Sequence, residues 1–229
     1  MNMSFSRRNP MTMRIAILLM VIAALSAGFA PRVLAEATIL AEDHFTDKRN
    51  TPLIEHTPDI APAGEGWSIE RNDGVWVIAK NKLREGSKTK EFVSNDYRAV
   101  IDVATTDVTV SVDARFGGGK QLFGLVANHS GTHSWVMFFY DGHGDMILGA
   151  DLGDGNFTEL GRARIKWRDN KSRRLQLEVT ADSIVGSVDG KVFVSSVRAP
   201  VSSLEGTNAG LFFRGGGTTM FDNFLVTGQ

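Results

Sequence analysis

The sequence predicts an all-β chain, an antiparallel two-sheet β-sandwich behind an N-terminal signal peptide. Three observations carry this. Residues 36–229 hold about a dozen short alternating or apolar runs, separated by turn residues at roughly 8–12-residue intervals. Within Val185-Gly186-Ser187-Val188-Asp189-Gly190-Lys191-Val192-Phe193-Val194, an Asp-Gly pair sits between two β-branched runs, a strong hairpin signal. No window of eleven or more residues in this region keeps a helical period.

The first 35 residues read as a leader. Arg7, Arg8 and Arg14 precede the apolar run Ile15–Leu25, and Val33-Leu34-Ala35 supplies small residues at a cleavage site. Eleven apolar residues fall short of the about 20 that span a bilayer, so no stable membrane span is expected. The protein is then secreted or periplasmic, and residues 36–229 form one domain. The leader holds Arg7, Arg8, Arg14 and Arg32 and no acidic residue. The chain as a whole has a net charge of −1, so the exported part is acidic. Such a domain does not attract nucleic acid by its bulk field. There is no cysteine, which excludes thiol catalysis and cysteine-based metal sites. Export without disulfides fits a bacterial origin.

Glu42-Asp43-His44-Phe45 opens the fold as a short edge strand. Thr51 to Gly66, with Pro52, Pro58 and Pro62, reads as a surface loop or a strapped-down excursion, not a strand. Gly66–Ile69 and Gly74–Ile78 read as strands around an Asn72-Asp73-Gly74 turn, and Lys80 to Lys90 as a charged connection. Tyr97–Val103 and Val108–Phe116 follow. Val108, Val110, Val112 and Ala114 share one face of the latter and Thr109, Ser111, Asp113 and Arg115 the other, the pattern of a half-buried antiparallel strand. Leu122–Ala127, Trp135–Tyr140 and Met146–Ala150 come next. Trp135-Val136-Met137-Phe138-Phe139-Tyr140 is apolar on both faces, which marks a central strand that is covered twice or lines a groove. Phe157–Ile165 and Leu175–Thr180 lead into the closing hairpins.

Several motifs, in this order, resemble the concanavalin A-like lectin/glucanase superfamily in its laminin G-like jelly-roll branch. They are Asp43-His44-Phe45, Gly66-Trp67, Gly74-Val75-Trp76-Val77, Phe123-Gly124-Leu125-Val126-Ala127, Leu175-Gln176-Leu177-Glu178-Val179, Val188-Asp189-Gly190-Lys191-Val192, Ala209-Gly210-Leu211-Phe212-Phe213 and Phe221-Asp222-Asn223-Phe224. The resemblance implies two stacked curved sheets, adjacent first and last strands, and any ligand on the concave sheet. Its laminarinase-like enzymes carry Glu-x-Asp-x-x-Glu or Glu-x-Asp-x-Glu on one strand, and no such string occurs here. The acidic pairs Asp141/Asp145 and Asp151/Asp154 fall among glycines in turns. No catalytic residue is assigned.

Sugar binding needs aromatic faces and planar polar groups. Asn128, His133, Trp135, Tyr140 and Arg214 are the concave-face candidates. No cofactor is required. Related jelly rolls imply a structural calcium, for which Asp43 and Asp222 are the candidate ligands if the chain ends pair. The alternative is that each binds backbone in a turn. His129 and His133 have no third partner for zinc in the sequence. The first functional reading is a secreted module without catalytic activity that binds a polysaccharide or a cell-surface glycan, with a protein partner as a variant. One alternative is a glycoside hydrolase or polysaccharide lyase with carboxylates from separate strands. The other is a structural or adhesive domain.

Overall fold

The computed structural model describes residues 37–47, 50–62, 65–70, 76–85, 97–131, 133–201, 203–215 and 218–228. The signal-peptide reading and the Asn72-Asp73-Gly74 turn lie outside them. The strands, in chain order, begin with β1 (Thr38–Asp43), β2 (Thr51–Pro52), β3 (Ser68–Glu70), β4 (Trp76–Ile78) and β5 (Leu83–Glu85). Then come β6 (Tyr97–Asp102), β7 (Val108–Arg115), β8 (Leu122–His129), β9 (Ser134–Tyr140) and β10 (Asp145–Leu152). The last six are β11 (Phe157–Arg164), β12 (Ser172–Val179), β13 (Ser183–Val188), β14 (Lys191–Val197), β15 (Asn208–Arg214) and β16 (Met220–Gly228). Among the described residues no helix is long and apolar enough to cross a membrane.

These strands form two antiparallel sheets. One runs β14-β13-β12-β7-β16-β5-β4-β2, with β1 also on β16. The other runs β11-β10-β9-β8-β15-β6-β3. The first and last long strands pair, Asp43 opposite Phe224, as the resemblance implies. The predicted hairpin is present: Val188 faces Lys191, and Asp189 and Gly190 both take positive φ, 52° and 75°. A two-residue turn with both central residues left-handed matches the twist of its strands. The strands read on either side of Asn72-Asp73-Gly74 do not pair. β3 lies in the seven-stranded sheet and β4 in the nine-stranded one, because β3 finds its partner in β6 and β4 in β5.

Alternation sorts the side chains. Val108, Val110, Val112 and Ala114 face the core between the sheets, as the pattern of β7 requires. β9 splits cleanly. Val136, Phe138 and Tyr140 belong to the inter-sheet core. Trp135, Met137 and Phe139 join Val100, Val126, Ile147 and Phe212 in a second apolar cluster, on the outer face of the seven-stranded sheet. A strand apolar on both sides thus lines a groove on the side away from the core.

Candidate functional site

The site lies on that outer face. A cavity of 420 Å³ is bounded by Arg98, Leu122, His133, Trp135, Met137, Phe139, Asp151, Gly155, Phe157, Phe212 and Arg214. β9 contributes Trp135, Met137 and Phe139 at alternate positions, and β15 contributes Phe212 and Arg214 by the same rule. Arg98 comes from β6, directly across from Phe212. Phe157 opens β11, opposite Asp151 of β10.

Phe157 is the exposed aromatic of this wall, at 47 %. Its ring lies 6.1 Å from that of Trp135 and 6.0 Å from that of Phe139. It rests on Gly149, where an added Cβ would come within 2.3 Å of the ring. Trp135 is nearly buried, and the Arg98 guanidinium sits 5.2 Å above its ring. Arg98 is itself only 2 % exposed, and its Nη1 donates to His129 Nε2 at 3.2 Å. That bond makes His129 a neutral imidazole with its proton on Nδ1. Burial, and then the Arg98 charge, push the His129 pKa down to about 4.

At the rim, His133 Nδ1 lies 3.1 Å from Asp151 Oδ2. Asp151 Oδ1 accepts the N–H groups of Gly153 and Gly155. Asp151 is the one carboxylate on the cavity wall among the described residues. Asp141 and Asp145 turn instead to Arg162, whose Nη1 lies 3.5 and 3.1 Å from them. Hydrogen bonds from Arg162 and then Arg164 hold the Asp145 carboxyl below its usual pKa. Glycosidic hydrolysis by the common routes uses two carboxylates flanking one bond, and this wall supplies one.

Of the five sequence candidates, His133, Trp135 and Arg214 meet here. Tyr140 does not. It stands five residues after Trp135 on one strand, so alternation turns it to the opposite face. There it packs edge-on against Phe116 at 5.2 Å. Asn128 is buried at positive φ, and its Nδ2 donates to the Thr106 and Gly206 carbonyls. It ties two loops together rather than facing the cavity. Sequence reading missed Arg98, Phe139, Asp151, Phe157 and Phe212. The double-sided apolar run of β9 was the signal for Phe139. Neither local pattern nor spacing marks the others.

The expected calcium pair does not fit a cation. Asp43 is fully buried and surrounded by donors. Its Oδ2 accepts Trp67 Nε1 at 2.7 Å, and its Oδ1 accepts the Phe45 N–H at 2.7 Å and faces His56 Nε2 at 3.0 Å. Asp222 is paired with Lys82 and accepts the Asn223 N–H. Among the described residues no group of three acidic or histidine side chains is placed to hold a metal. The backbone-binding alternative describes both residues better, with side chains added to it.

No protein-family model and no curated protein sequence matches the chain. Solved structures do. The carbohydrate-binding module CBM66 from Bacillus subtilis aligns with a TM-score of 0.55 at 14% identity, covering 70% of this chain and 94% of its own. The catalytic domain of an endo-1,3-beta-glucanase (laminarinase) from Thermotoga petrophila RKU-1 aligns at 0.56 and 13%, covering 85% and 98%. A Bacillus subtilis protein of unknown function with a galectin-like fold aligns at 0.57 and 14%, covering 84% and 96%. The chain has the two-sheet antiparallel jelly-roll fold of these structures. A carbohydrate-binding module and a catalytic domain both appear on that scaffold, so the likeness fixes architecture and leaves chemistry to the site.

Proposed function

We propose that this protein is an exported carbohydrate-binding module, laminin G-like in its motif order, that seats a sugar of a polysaccharide or cell-surface glycan in the cavity of its seven-stranded sheet. The observation that carries this is Phe157. A half-exposed aromatic ring, fixed on a glycine and flanked by two more rings, faces a cavity with Arg98 and Arg214 on its wall. The ring covers the apolar face of a pyranose, and the half-buried Arg214 guanidinium at the wall meets its hydroxyls. That Asp151 is the one wall carboxylate among the described residues supports binding without catalysis.

One observation favours the enzymatic alternative, a hydrolase or lyase. His133 is half-exposed, with Asp151 on its Nδ1, the arrangement of a base held by an orienting carboxylate. A single experiment separates the two. The purified protein is mixed with a panel of insoluble or immobilised polysaccharides, with and without Ca²⁺. Retention and new reducing or unsaturated ends are scored in the same samples. Retention without new ends is expected, and Phe157→Ala should weaken it about tenfold, the loss of roughly 1.5 kcal/mol of ring contact. Chain cleavage that disappears in His133→Ala would overturn the binding-only reading. Failure to retain any polymer would remove the carbohydrate reading altogether.

A further inference from the structure

Lys80, Lys82 and Arg84, from the stretch read as a charged connection, line a groove beside the other sheet. The pairing register of the nine-stranded sheet aligns one row across its outer face. Pro52 faces Val77, Val77 faces Arg84, Arg84 faces Met220, Met220 faces Arg115 and Arg115 faces Ser172. Two guanidinium groups thus flank one methionine in a row with no acidic member. With strands about 4.8 Å apart, their Cα atoms stand roughly 10 Å from each other.

The neighbouring outward row is different. There Asp222 faces Asp113, and Asp113 faces Arg174. Lys82 pairs with Asp222 and Arg174 with Asp113. Each cation in that row has a carboxylate, whereas Arg115 in the first row bonds the neutral Asn170 Oδ1. The Arg84–Arg115 row opens into a groove of 830 Å³ lined by Asn50, Ala79, Lys80, Lys82, Arg84, Arg115 and Met220, with no carboxylate on its wall among the described residues. Lys80 overhangs it from the β4–β5 turn, at a φ of 56°.

We propose that this groove binds a single-chain polyanion, an acidic polysaccharide whose carboxylate or sulfate groups meet Arg84 and Arg115 in turn. Guanidinium groups take such oxyanions through paired N–H donors. The groove form favours a flexible single chain over a flat membrane or a rigid duplex. Among the described residues no aromatic side chain lines it to stack bases, as single-stranded nucleic acid sites do. The site is on the opposite sheet from the cavity and does not depend on the reading of that cavity.

The test uses the full chain with polygalacturonate, a neutral β-1,3-glucan, duplex DNA and phosphatidylserine vesicles at low ionic strength. Binding to polygalacturonate is expected to weaken with added salt. The double variant Arg84→Gln/Arg115→Gln should lose about tenfold in that affinity, the sum of two exposed charge contacts. Both side chains are exposed, and an unchanged unfolding temperature confirms the fold. Arg162→Gln, the loss of one charge on the other sheet, should bind polygalacturonate as the parent does. Retention on neutral glycan should be the same in parent and double variant. Polygalacturonate binding that is absent, or equal in the parent and the double variant, overturns the proposal. So does binding of duplex or vesicles with none of polygalacturonate.

Discussion

Phe157 can act as a platform because residue 149 has no side chain. The ring occupies the space a Cβ would need, and Thr158 O lies 3.0 Å from that same point. Gly149→Ala should therefore displace the ring while leaving the core intact. The expected outcome is a loss of glycan retention close to that of Phe157→Ala, with the unfolding midpoint lowered by about 1 kcal/mol or less. A variant that retains glycan normally would show that the ring position is irrelevant. His129 makes a second residue-scale prediction. Its folded pKa, about 4, lies below the ordinary 6.5. The folded state then binds fewer protons than the unfolded state between these values. Stability from neutral His129 is complete above pH 6.5 and is lost as pH falls toward 4. The loss is up to about 3 kcal/mol, from the size of the shift. Denaturant midpoints measured from pH 7 to 4 should fall less steeply in His129→Gln, which keeps an acceptor for Arg98. An unchanged slope would place the acid sensitivity elsewhere.

At the scale of elements, β1 is held by more than its pairing with β16. Asp43 at its end fastens Trp67, which comes from the far side of the Pro-rich loop, and Trp67 packs on Phe45 and Phe224 at 5.9 and 4.9 Å. Asp43→Ala would leave the Trp67 indole N–H and the Phe45 amide buried without an acceptor. A cost of about 3 kcal/mol is expected, read as a denaturant midpoint at pH 7. Burial raises the Asp43 pKa above 3.8, against the lowering effect of its hydrogen bonds. Its own titration thus favours the folded state below 3.8 and loses that contribution as pH rises through the folded pKa, opposite in sign to His129. EDTA should leave the midpoint unmoved, whereas a calcium clamp at Asp43 and Asp222 would make it fall. The sequence made the strands readable where alternation or turn chemistry was local, as in β7 and at Asp189-Gly190. It also contained the reason to separate Trp135 from Tyr140, since an odd spacing on one strand gives opposite faces. What it lacked was partnership between distant strands. Arg98 reaches Trp135 from β6 across three strand positions, and Phe157 meets Gly149 only through the β10–β11 register.

On the scale of the whole molecule, the two sheets offer different chemistry on their outer faces. The seven-stranded sheet presents a cavity walled mainly by apolar side chains, with Arg98, Arg214, His133 and Asp151 among them. The nine-stranded sheet presents a groove walled by lysine and arginine. Contacts of the first kind depend on apolar area and hydrogen bonds and are little affected by salt. Exposed charge contacts are screened once the Debye length shortens, from about 10 Å at 0.1 M to about 3 Å at 1 M. A polymer that carries both neutral and acidic sugars would be held at both faces at low salt. Raising the salt should release the acidic chain and keep the neutral one. The measurement is a salt titration of retention on a neutral glucan and on polygalacturonate, with Phe157→Ala and Arg84→Gln/Arg115→Gln in parallel. The expected pattern is a crossed one, in which each variant loses a single ligand and only the polygalacturonate curve depends on salt. Loss of both ligands in either variant would mean that one face serves both, and the division of labour between the sheets would then be wrong.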